Sequence, residues 1–583
     1  MAFSVSVGES DFAKFRENES YYIDKTEIIY ELVHNTKNKV TLFTRPRRFG
    51  KTLMMSMMEN FFSVRKDSRQ IFEGLHIMEH RGFCQEWMNQ HPVLFISFKD
   101  VEGLSFEGAY GMLESRIADI CKNMDDLGKS EAANPSDREV FERLMFTKAS
   151  EHEVKNSLKT LMRMMNAVYG KNTILLIDEY DVPIHHAGEK DTGENRYYER
   201  MLDMMRGIMG TALKDNEFLQ FAVVTGCLRI AKESIFTGTN NFASYSVLDN
   251  RFSDYFGFTE EEVGAMLGSA GKADKAAIIK EWYDGYVFGK AHIYCPWDVI
   301  NYLSELRQDR DARPKSYWKN TSHNGVLLTL ARKNSFSVRE KFEALLNGGA
   351  VVQTISDTLT YDKLESTEDS LWSTLLMTGY LTKADPLEDG DAGYLTKTDP
   401  PEDGDAGYQT KADPPEDGDA VRLRIPNKEI ATIFRDSVVT LFKETIDTAK
   451  QKAMMDALWE GKAAEAGSAL SDLLWDTISY NDYHEDYYHA FLTGVFVGLG
   501  YAVDSNKEKG LGRPDILLKD PGHRRALIIE AKKSKSDSDM ERDCERAISQ
   551  IQGMKYAESL YGYREIKCYG VAFFRKEARV KSL

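Results

Sequence analysis

The sequence predicts an α/β protein with two sheet domains, a parallel sheet in the N-terminal half and a smaller mixed domain at the C-terminal end. Three observations carry this prediction. Short apolar runs alternate with long helical stretches between Lys39 and Thr225. A phosphate-handling motif, Phe49-Gly50-Lys51-Thr52, lies between the first run and the helical stretch after it. Near the other end, Asp515 precedes Glu530-Ala531-Lys532 on an apolar run, the order in which a metal-dependent phosphodiesterase presents its ligands.

The chain has 583 residues, which at roughly 100–200 residues per domain implies about three to five domains or subdomains. The boundaries read as 1–257 for the parallel-sheet core, 258–379 for a mainly helical lid or middle region and 380–420 for an acidic insert. A helical connector over 421–475 and the second α/β domain over 476–583 follow. The six cysteines are scattered without a Cys-x-x-Cys pair. That argues against a zinc ribbon or a disulfide framework and fits a reducing, cytoplasmic setting. Met1 to Glu9 has neither a basic start nor a long apolar core, so no signal peptide is expected. The run from Phe491 to Val503 is too short for the ~20 residues of a spanning helix, so no membrane partner is expected.

A net charge of −17 argues against nucleic-acid binding until its distribution is read. Residues 380–420 hold three near-copies of one 14-residue unit, starting at Tyr380, Tyr394 and Tyr408, and together they supply −9 of that charge. Residues 501–583 carry 18 Lys plus Arg against 13 Asp plus Glu. The acidity is concentrated in the insert, and the last domain is locally basic, as phosphate contact requires. The repeat is rich in Pro, Gly and Asp, too poor in apolar residues to order itself, and reads as an expanded hairpin loop between Gly379–Thr382 and Val421–Ile425. An acidic interaction tail or nucleic-acid mimic is the competing reading.

Each element follows from local pattern. Lys39–Thr44 is β-rich and ends in the Gly-Lys-Thr loop, and Thr52 onward has helical spacing. Val93–Phe98, Thr173–Ile177 and Phe218–Thr225 read as three further buried strands. Beyond Phe258 the pattern turns helical, with Thr259 as a cap and Glu262 three residues on. Trp282-Tyr-Asp-Gly-Tyr286 and Pro296-Trp297 read as core and turn residues, with a recognition surface as the alternative. The last domain reads as helix Tyr483–Leu499, strands Tyr501–Asp504, Asp515–Leu518 and Ala526–Ala531, helix Met540–Leu560 and strand Ile566–Phe574.

The chemistry of a nucleoside triphosphate site is distributed over these elements. Gly50 lets the backbone close on phosphate, Lys51 reaches the terminal phosphates, and the Thr52 hydroxyl suits Mg²⁺. Arg45 stands where a full phosphate-loop signature has its first glycine. Asp178 and Glu179, at the end of an apolar strand, would hold Mg²⁺ and orient the attacking water. Thr225 is placed to sense the γ-phosphate, and Arg229 or Lys232 to stabilise transition-state charge; surface or structural roles for these three stay open.

Tyr21–Thr26, Arg45–Thr52, Leu176–Asp181, Thr225–Phe236 and Trp282–Tyr286 together resemble the bacterial and archaeal AAA-ATPase-like proteins. Those proteins often carry a C-terminal PD-(D/E)XK nuclease-like domain. The resemblance spans nearly the whole chain outside the acidic repeat. It implies a P-loop NTPase core that takes ATP and Mg²⁺, with a restriction-endonuclease-like α/β domain after it. It makes Arg45 usual in the loop, so Arg45 stays among the nucleotide-binding residues, and it sets Tyr21–Thr26 near the adenine. P-loop proteins of this type often assemble, so a homo-oligomer is an open expectation.

In the last domain Asp515 and Glu530 are the expected metal ligands. Lys532, two residues from Glu530 on a strand, shares its face and would steady the phosphate or ease hydroxide formation. Glu485 matches the extra acid of some members of this nuclease superfamily. Gln550 with Tyr556 resembles a Gln…Tyr pair of its exonuclease-like branches, with Gln552 as the alternative. His484-Glu485 and His489 do not make a zinc-protease helix, because a spacing of five takes the two histidines off one face. Two functions compete: an ATP-regulated, Mg²⁺-dependent nuclease acting on DNA or RNA, and a nucleotide-switched binding protein whose nuclease-like domain grips nucleic acid or a partner without cutting. A scaffold built on the acidic repeat is a third, weaker reading.

Overall fold

The first apolar run, Val40–Thr44 (β1), is buried at every residue, as expected of a strand covered on both faces. A computed structural model describes residues 3–34, 38–189, 197–229, 235–236, 241–318, 341–342, 344–346, 348–356, 368–384, 394–395, 410–411, 420–445, 448–477, 485–499, 501–504, 514–554, 556, 560 and 562–583. The chain divides into two compact units, one built mainly from residues 1–317 and the other mainly from 429–583.

In the first unit β1 joins Val93–Ser97 (β2), Thr173–Asp178 (β3), Leu219–Gly226 (β4) and Phe242–Tyr245 (β5) in a sheet ordered β2-β3-β4-β1-β5. Every neighbouring pair is parallel. The sequence reading has four of these strands. It misses β5, whose Phe-Ala-Ser-Tyr is half-buried throughout and lacks an apolar run. Register levels the carboxyl ends: Phe43 pairs with Thr225, Ile177 with Val224, and Ser97 with Asp178. In open α/β sheets ligands bind at these ends.

Helices cover the sheet because their apolar residues recur every three or four positions. Glu151–Tyr169 buries Val154, Leu158, Leu161, Met162 and Met165 against Met201, Met205, Ile208 and Met209 of Tyr198–Leu213. Its start is fixed by a capping box of Ser150 and Glu153. The box expected at Thr259 and Glu262 is present and opens the helix Glu260–Ser269. Among the described residues of the middle region, Tyr286–Phe288 and Ala291–Ile293 pair as a small antiparallel hairpin between helices. Tyr283 and Tyr286 are buried, and Pro296 opens the next helix, as core and turn residues do.

Thr382–Lys383 pairs antiparallel with Ala420–Arg424, the two flanks of the acidic repeat. Inside the repeat, Tyr394–Leu395 of the second copy pairs with Thr410–Lys411 of the third. Each copy thus donates a two-residue strand from its opening Tyr-x-Thr-Lys.

The second unit holds a sheet whose strands follow chain order: Ala502–Asp504, Ile516–Asp520, Arg525–Lys533, Glu565–Phe574 and Glu577–Ser582. Only Arg525–Lys533 and Glu565–Phe574 run parallel, linked by the crossover helix Met540–Gly553. Arg525–Lys533 divides two cores. Leu527, Ile529 and Ala531 pack with Tyr488, Phe491 and Leu492 of the helix Glu485–Gly498. The same core takes Leu458 and Leu470 from the helices Thr448–Glu460 and Ala463–Thr477, in the segment read as a connector. Ala526 and Ile528 pack with Ile551 and Tyr556 on the crossover-helix side. Among the described residues no helix is long and apolar enough to cross a membrane.

Candidate functional site

The nucleotide motif becomes a site through backbone geometry. Gly50 has φ 81° and caps the helix Lys51–Phe62, a left-handed conformation that glycine adopts without a Cβ penalty. The helix therefore starts at the mouth of the loop, its unpaired amides and positive end directed there. Lys51 is buried, and its ammonium donates to the carbonyls of Arg45 (3.0 Å) and Pro46 (2.8 Å). Thr52 Oγ1 donates to Asp178 Oδ2 at 2.8 Å, and Thr225 Oγ1 donates to Asp178 Oδ1 at 2.5 Å. One carboxylate thus ties the ends of β3 and β4 to the first turn of the loop helix. A hydroxyl beside a carboxylate is a hard-oxygen donor set that suits Mg²⁺.

Glu179 follows at φ 53°, a left-handed turn that redirects the chain at the end of β3. Burial raises its carboxyl above the usual range, and Asp178 and Asp181 add to that while Lys51 and Arg47 oppose it. Arg47, also on the loop, hydrogen-bonds Cys227. Burial works against its charge, but Cys227, Asp181 and Glu179 around it more than offset this and raise its pKa. Arg48, at φ 74°, lies 4.0 Å from the centre of the Trp297 ring.

One expectation needs correction. Arg45 does not offer its side chain to nucleotide. Its guanidinium is fully buried and donates to the carbonyls of Thr44, Tyr245 and Phe252 (2.9, 2.9 and 3.1 Å). Burial lowers its pKa to about 10. It braces the loop from inside and serves the site through its carbonyl. Tyr21–Thr26, expected near the adenine, spends its polar groups on the fold: Asp24 binds Thr26 and the His76 amide, and Lys25 binds Glu262 and the Asp254 carbonyl. Arg229 lies with its guanidinium 5.9 Å from the Phe242 ring centre, and Lys232 falls outside the described residues.

The second site forms where Arg525–Lys533 meets the Asp515 turn. Glu530 is 1% exposed. Its Oε2 accepts from the Asp515 amide (3.3 Å), and its Oε1 accepts from Lys532 Nζ (3.3 Å) and from Gln550 Nε2. Asp515 Oδ2 accepts from the Ala531 amide at 2.9 Å. Both glutamines are exposed, but it is Gln550 that reaches Glu530 and hydrogen-bonds Tyr556. The alternation of the strand sets Glu530 and Lys532 on the crossover-helix face, so Gln550 can reach them. Burial pushes the Glu530 carboxyl well above its usual range, to about 7, and Asp515 adds to this while Lys532 opposes it.

A buried carboxylate beside a second carboxylate is costly without a cation between them. The set Asp515 and Glu530 fits a hard divalent ion with water and phosphate oxygens completing its shell. Among the described residues no group of three or more His, Cys, Asp or Glu gathers to hold a metal by protein ligands alone. Glu485 begins the helix Glu485–Gly498, and its side chain lies outside the described residues.

Sequence reasoning missed two contacts. His489, discounted as a zinc ligand, donates from Nε2 to the Asp515 carbonyl at 2.6 Å. Asp181 accepts from the amides of Cys227 and Leu228, both at 2.9 Å. The partners lie 26 and at least 46 residues away in the chain, so no local pattern signals them.

Residues 6–236 match the family model for a predicted AAA-ATPase, and residues 483–582 match that of the PD-(D/E)XK nuclease superfamily. The chain is 27% identical over 330 residues to the "Uncharacterized protein in vnfD 5'region" of Azotobacter chroococcum mcd 1. The match covers 56% of this chain and 55% of that protein, so the chain spans about half the length of the curated relative it matches. With both geometries in place, the chain carries an AAA-ATPase-like domain at residues 6–236 and a PD-(D/E)XK nuclease-superfamily domain at residues 483–582.

Proposed function

We propose that this protein binds and hydrolyses ATP with Mg²⁺ at the first site and cleaves nucleic-acid phosphodiester bonds with a divalent ion at the second, the nucleotide state governing cleavage. The convergence of Asp515, Lys532 and Gln550 on the one buried carboxylate of Glu530 carries the reading. A divalent ion held there supplies Lewis acidity to the phosphoryl oxygen and to water. Asp515 and Glu530 would hold it, and Gln550 keeps the Glu530 side chain in one rotamer. Lys532 places an ammonium where negative charge develops on the phosphate.

At the first site, Lys51 would exchange its two loop carbonyls for phosphate oxygens. Thr52 and Asp178 would hold the ion, directly or through water, and Glu179 would orient the attacking water. The locally basic C-terminal domain suits a polyanionic substrate. A nucleotide-switched binder is the second reading. It draws on one observation: Glu530 is already satisfied by protein donors, as in an internal structural pair.

The test is a cleavage assay on labelled single- and double-stranded DNA and RNA, with Mg²⁺ or Mn²⁺, with and without ATP. Asp515→Ala and Lys532→Ala should each lower cleavage by at least about 100-fold, the scale of losing one positioned electrostatic group. Cleavage undiminished in both variants would assign it to a contaminant. Its absence from every reaction, with ATP still turned over, would favour the binder.

A further inference from the structure

The two turns that leave β3 and β4 are fastened to each other. After Asp178 the chain reverses at Glu179, and the next two residues both reach across to β4. The Tyr180 amide donates to the Thr225 carbonyl (3.1 Å), and the Tyr180 hydroxyl donates to the Leu228 carbonyl (2.8 Å). Asp181 Oδ2 accepts from both Cys227 N and Leu228 N at 2.9 Å. Asp181 is 3% exposed, and its Oδ1 is buried without a hydrogen-bond partner among the described residues.

Gly226 makes the closeness possible, since a Cβ there would lie 2.7 Å from both Asp181 Oδ1 and the Tyr180 ring. Cys227, held by this carboxylate through its amide, faces Lys51 Nζ at 3.7 Å and Arg47 through its thiol. A single buried side chain therefore links the acidic turn of Glu179 to the turn beside Thr225 and the loop lysine.

We propose that Asp181 is a positioning residue of the nucleotide site, which holds the Cys227–Leu228 turn in register with Glu179 so that occupancy of the phosphate site is felt at that turn. The inference rests on the nucleotide reading above. Asp181 touches neither phosphate nor water in this account. Its oxygen fixes two amides, and those amides fix the turn that follows Thr225. The carboxylate serves here as a double acceptor, a task that an amide oxygen can also perform.

The test compares the full chain with Asp181→Ala, Asp181→Asn and Tyr180→Phe. Three quantities are read: affinity for a fluorescent ADP analogue, ATP turnover, and nucleotide-dependent hydrogen exchange at the Cys227 and Leu228 amides. Asp181→Ala should lower kcat by about 10- to 100-fold, the cost of displacing an aligned group by about 1 Å. Its ADP affinity should stay within about threefold of the unaltered protein, and nucleotide should no longer slow exchange at the two amides. Asp181→Asn keeps an acceptor oxygen and should restore both turnover and protection. Tyr180→Phe removes the opposite clamp and should give a smaller loss of the same kind if Asp181→Ala does not fold.

Three results would overturn the inference: unchanged kcat and protection in Asp181→Ala, loss of ADP affinity in step with kcat, or no rescue by Asp181→Asn. Absence of nucleotide binding by the unaltered protein would overturn the nucleotide reading and this inference with it. Intact binding with any of those three results overturns the inference alone.

Discussion

Glu530 shows how one buried carboxyl can make metal binding a proton-linked event. With its pKa near 7, it carries a proton in slightly acid solution when no cation is bound. A divalent ion must displace that proton. The sign follows directly. Below about pH 7, affinity should rise roughly tenfold per pH unit as the competing proton is lost, and above it the dependence should flatten. Mn²⁺ titrations by calorimetry between pH 5.5 and 8.5 would show this, with close to one proton released per ion at the acid end. A flat profile would mean that Glu530 is not a ligand. Glu530→Gln removes the titrating group and should remove the slope.

At this scale the sequence was most legible where chemistry is written in neighbours. Lys51 with Thr52, and Glu530 with Lys532, are two residues apart or fewer, so strand or helix geometry alone sets them together. Arg45 misled because a guanidinium in a phosphate loop invites an electrostatic role. Its three carbonyl partners come from both sides of the sheet edge and from residue 252, which no local pattern shows. Asp181 and His489 escaped for the same reason.

Among elements, the crossover helix Met540–Gly553 is seated by a missing side chain. A Cβ at Gly570 would lie 2.4 Å from the Cys544 carbonyl on that helix. Because backbone cannot yield as a flexible side chain can, Gly570→Ala should cost about 1–3 kcal/mol or more. It should also move Gln550 off Glu530, since both depend on this helix-to-strand distance. Urea unfolding followed by a tryptophan signal, together with Mn²⁺ affinity, would measure the two effects. Unchanged stability would show that the helix can shift without loss.

The strands predicted from apolar runs were placed to within a residue or two, because burial on both faces leaves that signature. Those that escaped are short or only half-covered. Phe242–Tyr245 is half-buried, and Glu577–Ser582 alternates charged with apolar residues over six positions, a strand signal that the sequence reading passed over. The hairpin Tyr286–Phe288 with Ala291–Ile293 has three residues on each side, too few for a period to show.

For the molecule as a whole, charge is arranged by segment. The three repeat copies hold more than half of the net −17, and the C-terminal residues from 501 on are net positive. Excision of one copy, residues 394–407, removes the two-residue strand Tyr394–Leu395, whose place the matching Tyr-x-Thr-Lys of the third copy can take, and leaves the flanking strands Thr382–Lys383 and Ala420–Arg424 paired. Loop length enters stability only logarithmically, so the shift should stay below about 0.5 kcal/mol. Thermal unfolding and ATP turnover of the shortened chain would check this. A large drop in either would assign the repeat a structural or regulatory part. The six cysteines are all free, five of them buried and Cys227 half-buried.

The strand Arg525–Lys533 is a wall shared by two cores, and its two sets of side chains answer to different selection. Drift at Leu527, Ile529 and Ala531 is limited by volume, so lineages under pressure only to stay folded should exchange one aliphatic for another there. Glu530 and Lys532 on the opposite face are held by their charges as well as by the space around them. A descendant without the proposed chemistry would lose Glu530 and Lys532 first and keep Ala526 and Ile528 on the same face, so that its decay would be confined to one end of one face of the strand.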